Sequence, residues 1–156
     1  MRGWTDPSPV VHGFTWAPGS GHDGSARRLG GMHLRVDARG PASAEVMWSA
    51  YAHTSRWSGW APQIRRVDPE GPLVEGMEGR VHGPWGAKAR FEVTLVDRAA
   101  GRWVWRVHAG PARLRIRHEV ADGVTAVEIQ GPAPFVLAYA PAARLALERL
   151  ARSTQD

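Results

Sequence analysis

A chain of 156 residues is the size of one domain, and 43% hydrophobic with 22% charged residues is ordinary for a globular protein with a single core. No apolar run approaches the ~20 residues that a membrane span needs, and the absence of cysteine removes disulfides, thiolate nucleophiles and cysteine-rich zinc sites. The formal charge of +5 rests almost wholly on arginine, since Lys88 is the only lysine; with abundant Ala, Gly and Pro, this tilt fits the codon bias of a GC-rich bacterial genome. The start MRGWTDPSPV lacks the basic, apolar, small-residue order of a secretory signal, so a cytoplasmic protein is the expectation.

Residues 1–31 are rich in Gly, Pro, Ser and His, with Trp4, Phe14 and Trp16 scattered without period, and read as a flexible tail ahead of a single domain over 32–156. The pattern then predicts a strand over His33 to Ala38, with Leu34 and Val36 inward, closed by Gly40-Pro41. Ser43 is a candidate N-cap for a short helix over Ala44 to Tyr51, and AHTSRWSGWAP can hold a second around Thr54 to Trp57 before Pro62 stops it. Short strands are expected over Ile64 to Val67 and Gly79 to Gly83, separated by a Gly/Pro loop, with Pro84-Trp85-Gly86 as a turn.

From Arg90 to Gly131 the period becomes a clean two, and four strands follow one another as an antiparallel meander. Phe91, Val93 and Leu95 form the inner row of the first, Trp103, Trp105 and Val107 that of the second, and Val127 and Ile129 that of the fourth. The third places Leu114, Ile116, His118 and Val120 inward, so the dry face carries one imidazole. Asp97 to Gly101, Gly110-Pro111 and Asp122-Gly123 supply the turns. Outward on these strands lie Arg102, Arg106, Arg113, Arg115 and Arg117, which read either as a solvated convex face or as a surface for an acidic partner. Phe135 to Arg152 is the only long helical pattern; Arg144, Glu148, Arg149 and Arg152 cluster opposite Phe135, Val136, Tyr139, Ala143, Ala146, Leu147 and Leu150. Pro141 either kinks this helix or marks its first turn.

The order β-α-α-β-β-β-β-β-β-α is α+β, a curved antiparallel sheet of about seven strands around a long C-terminal helix. Three segments carry a resemblance: PASAEVMWSAYAHTSRWSGWAPQIRRV with its Trp57 and Trp60 pair, GRWVWRV, and HEVADGVTAVEIQG ahead of the last helix. From about Met32 to Arg152 the chain resembles the START-like helix-grip superfamily, also called SRPBCC, and within it the bacterial polyketide cyclase/dehydrase and lipid-transport-like group. That resemblance implies an internal cavity for a hydrophobic molecule, polycyclic or polyketide-like. It implies no universal catalytic motif, because this fold hosts many functions.

No phosphate loop, His-x-x-x-His pair or metal-spaced carboxylate cluster occurs, so neither cofactor nor metal is expected. His118 and Tyr139 are the candidates for moving protons, with the alternative that His118 is a core histidine met by protein partners. Tyr51, Trp57, Trp60, Trp85, Phe91, Trp103, Trp105, Leu114, Ile116 and Phe135 are the candidate ligand-binding residues, core packing being the plainer explanation for the tryptophans. Glu75 and Glu78 read as solvent-exposed. Two functions stay open: aldol cyclisation and dehydration in the manner of aromatase/cyclases, or non-catalytic carriage or sensing of a hydrophobic metabolite or lipid. The arginine face adds an acidic carrier protein as a candidate partner; without stacking aromatics on that face, nucleic acid ranks last.

Overall fold

The structure is a computed structural model that describes residues 31–154. Seven strands, β1 (Gly31–Arg39), β2 (Arg66–Asp68), β3 (Glu78–His82), β4 (Lys88–Asp97), β5 (Arg102–Ala109), β6 (Ala112–Ala121) and β7 (Val124–Pro132), form one antiparallel sheet in the order β1-β7-β6-β5-β4-β3-β2. Between β1 and β2 lie α1 (Ala44–Tyr51), a 3₁₀ turn at Thr54–Arg56 and α2 (Trp57–Trp60); the long α3 (Ala133–Ala151) closes the chain. This is a helix-grip fold, with α3 laid against β1 and β7. The tail expected over 1–31 falls almost wholly outside the described residues; Gly31 itself opens β1 and pairs with Pro132.

The turns set the register. Gly110-Pro111 and Asp122-Gly123 each join neighbouring strands in two residues, with Gly110 at φ 57° and Gly123 at φ 77°, backbone that a Cβ would oppose. Ala109 therefore faces Ala112, Ala121 faces Val124, and the inner rows line up as Phe91–Val107–Leu114 and Trp103–His118–Val127. A one-residue slip would turn each inner row to solvent, so the hydrophobic pattern and the turns enforce one pairing.

Strict alternation fails once. The β4–β5 ladder shifts register between Val93 and Leu95, so the extra residue turns Leu95 outward, 37% exposed, and Val96 packs against the core instead. The expectation of Leu95 as an inner residue is corrected by that bulge. Pro141 lies inside α3 rather than in its first turn, where Pro134 sits, and the helix continues through it. Ser43 caps α1 as expected, accepting from Val46 N at 3.2 Å, and Asp122 Oδ1 takes the Ala44 N–H at 2.8 Å, tying the start of α1 to the β6–β7 turn.

Val136, Ala143, Ala146, Leu147 and Leu150 form the stripe that α3 buries, and the Arg144 side chain is 71% exposed beside Glu148. Leu147→Asp would place a carboxylate without a partner in this layer, and we expect it to remove at least about 3 kcal/mol or abolish folding. Arg144→Asp should stay within about 1 kcal/mol. Equal urea midpoints for the two variants would contradict this placement of the helix.

Candidate functional site

Aromatic rings occupy the space between sheet and helices. The two indoles of the Trp57-x-x-Trp60 pair serve α1: Trp57 Nε1 donates to Tyr51 O at 3.0 Å and Trp60 Nε1 to Ala50 O at 3.1 Å, satisfying carbonyls that the helix end leaves open. Their rings then pack inward, Trp57 on Trp103 and Trp105 with centroids 5.3 Å from each, and Trp60 edge-on to Tyr51 at 5.1 Å. Phe91, 3% exposed, completes the cluster against Trp57 and Trp105.

His118 sits inside this cluster, 5% exposed, its ring stacked on Trp103 with centroids 4.3 Å apart and planes within 6°. Trp105 Nε1 lies 3.1 Å from His118 Nε2, and the Tyr51 hydroxyl 3.2 Å from Nδ1. An indole N–H can only donate, so Nε2 must accept; the neutral ring then carries its proton on Nδ1 and donates it to Tyr51. Thr125 on β7 donates to Glu119 O at 3.1 Å. Burial pulls the imidazole down to about pKa 3 and pushes the Tyr51 phenol well above its usual value, opposed by Thr125 and reinforced by Tyr139. At neutral pH both groups are uncharged.

Both ring nitrogens are met by protein groups, which favours the core-histidine alternative over a ligand-facing acid or base. Tyr51, 0% exposed, is spent on His118 and reaches no ligand space. The small cavity beside His118, bounded by Trp57, Trp60, Trp103 and Trp105 on one side and by Tyr139 and Leu147 of α3 on the other, has about 10 Å³, room for one water at most. Tryptophan rings fill most of the space around this cavity.

Larger space opens at one end of the grip. A groove of about 270 Å³ runs over the inner faces of β3 to β6, floored by Val107, Leu114 and Ile116 and walled by Trp105, with the Gly83–Ala87 turn on one side and Tyr139 on the other. Of the residues expected to bind ligand, Trp105, Leu114 and Ile116 meet there, together with Tyr139, the second candidate for moving protons; Trp57, Trp60, Tyr51, Phe91 and Trp103 pack the interior. Trp85 departs furthest: it stands 98% exposed at the tip of its turn, with φ 54° and ψ 32° aiming it away from the protein. Phe135, 40% exposed on the first turn of α3, also lies outside the groove. Gln63 was not foreseen; it lines the groove from the segment between α2 and β2, where no hydrophobic period marks it.

On the outer sheet face, Arg117 is not free. It pairs with Glu119 and Glu128, which also hold Arg35. Arg102, Arg106, Arg113 and Arg115 have no ion pair among the described residues, so the basic face is narrower than the sequence suggests. Glu75 and Glu78 are exposed as expected, although Glu75 accepts the Val96 N–H at 3.0 Å. Among the described residues no helix is long and apolar enough to cross a membrane.

No family model and no curated protein matches the chain. Solved structures do. XoxI from Bacillus cereus is similar at 14% identity and TM-score 0.57, over 76% of this chain and 92% of that one. Ara h 8.0201 is similar at 11% and 0.56, over 78% and 96%. DynU16, a protein of the dynemicin biosynthetic locus, gives 22% and 0.57 over 76% of this chain and 45% of that one. At these identities the likeness is one of fold: the chain has the helix-grip architecture that its sequence resembled.

The buried imidazole has a pH signature. Its folded pKa is depressed from 6.5 to about 3, so between these values the unfolded chain binds the extra proton and stability falls as pH is lowered. The contribution is complete above about pH 6.5 and is lost at up to about 1.4 kcal/mol per pH unit going down. Thermal melting at pH 7 and pH 5 should show a steep drop for the natural chain and a shallower one for His118→Gln. Parallel slopes would mean that His118 is not held neutral.

Proposed function

We propose that the protein is a non-catalytic binder of a small hydrophobic molecule, a carrier or sensor, and that the groove floored by Val107, Leu114 and Ile116 is its binding site. One observation carries this: the groove is almost wholly apolar and open to solvent, whereas the group that would do chemistry is sealed away. At about 270 Å³ it is close to the ~300 Å³ at which pockets for drug-sized ligands begin, room for a small hydrophobic body. The helix-grip fold of neighbours such as DynU16 is compatible with this reading but does not name the ligand.

The cyclase alternative asks for a group that exchanges protons near neutral pH while touching substrate. His118, pulled down to about 3 and bonded through both nitrogens, meets neither demand. Tyr139 does line the groove, but burial raises its phenol, leaving it a hydrogen-bonding group rather than a base. An acidic carrier protein, if one docks, has Arg106, Arg113 and Arg115 to meet.

Binding of N-phenyl-1-naphthylamine, whose emission rises in apolar surroundings, tests the site. Ala109→Trp puts an indole into the groove and should weaken the probe at least tenfold, about 1.4 kcal/mol, with a melting temperature within a few degrees of the natural chain. Leu137→Ser, on the exposed side of α3, should change nothing. Undiminished binding to a folded Ala109→Trp protein would place the ligand elsewhere.

A further inference from the structure

Two polar side chains stand at the inner end of the groove, where it meets the small cavity, and both line both spaces: Gln63 and Tyr139. Gln63 Nε2 donates to the Tyr139 hydroxyl at 3.1 Å, which holds the second turn of α3 to the segment after α2. That bond leaves the pair half used. Gln63 Oε1 is buried and has no partner among the described residues, and the phenol, having accepted, keeps its own proton to give. Turning the amide over does not change the sum. Tyr139 would then donate to Oε1, and the open positions would be an N–H of Gln63 and a lone pair of the phenol. In either arrangement at least one donor and one acceptor of the pair stay open where it borders the groove.

We propose that this pair reads a single uncharged hydroxyl, so that the groove takes a neutral amphiphile with its apolar body over Val107, Leu114 and Ile116 and its hydroxyl between Gln63 and Tyr139. The proposal rests on the groove being the binding site. A hydroxyl fits because it donates and accepts through one atom, matching an open acceptor and an open donor of the pair. An ether or ester oxygen accepts only, and would leave one buried group unsatisfied. A carboxylate is disfavoured, since it could not donate and no cation stands beside the pair: Lys88, the one charged groove residue, is exposed, and His118 behind the cavity is neutral. Raised by burial, the Tyr139 phenol keeps its proton at neutral pH.

The test uses isomers. Octan-1-ol and 1-methoxyheptane have the same formula and differ in whether the oxygen carries a proton; octanoate adds charge. In competition against N-phenyl-1-naphthylamine, octan-1-ol should displace the probe at a concentration at least fivefold lower than either of the others. Tyr139→Phe and Gln63→Leu should each bring octan-1-ol to within about twofold of 1-methoxyheptane, while the affinity for 1-methoxyheptane itself holds. Variants that weaken both isomers equally would show that the pair only positions α3, and would overturn the proposal. Equal binding of the isomers by the natural chain, with Ala109→Trp blocking both, would also overturn it while leaving the groove standing; it would mean that the open positions take an ordered water only. Failure of every probe to bind would remove both readings.

Discussion

The hydrogen bonds from Trp105 to His118 and from His118 to Tyr51 are the constraint on which the interior depends. They join β5, β6 and α1 at one point, and they do so among aromatic rings where a polar atom without a partner costs about 1 to 3 kcal/mol. Because an indole can only donate, the order of donors is fixed along the chain of contacts, and the imidazole is held neutral in a single tautomer. Losing His118 would leave both partners without this contact, and losing either partner would leave one ring nitrogen unpaired, so the triad specifies position as well as adding stability.

This arrangement explains where space is left. Fixing Tyr51 inward at the end of α1 goes with Trp57 packed onto Trp103 and Trp105 and Trp60 packed against Tyr51, and the rings consume the volume that a helix-grip sheet would otherwise enclose. What remains lies towards β3 and the Gly83–Ala87 turn, where the inner rows narrow to Val, Leu, Ile and Ala side chains. The groove and the sealed centre are thus two results of one packing choice. Large residues crowd the middle strands near α1 and smaller ones line the far end.

The outer face obeys a different balance. Glu119 and Glu128 on β6 and β7 hold Arg35 and Arg117 across three strands in an exposed network of modest value. Towards β4 and β5 the arginines have no such partners among the described residues. The charge that composition spreads over the chain is therefore concentrated by register on one part of the sheet, without a role in holding it together.

Much of the architecture was legible in residue order. Period-two alternation and the Gly110 and Asp122-Gly123 turns determine strands, register and inner rows, because side-chain direction in a strand follows from sequence parity alone. The Ser43 cap, the long amphipathic helix and the inward place of His118 follow from equally local rules. Leu95 escaped them because a bulge breaks parity without changing composition, and Trp85 because a left-handed backbone sets its direction. The site depended on tertiary structure for a further reason. Whether an inward histidine faces a ligand or protein rings is a matter of which rings arrive from α1 and β5, and whether Gln63 faces solvent or Tyr139 is settled by how α3 crosses the sheet. Alternation fixes the side of the sheet on which a residue lies; only the packed fold decides what meets it there.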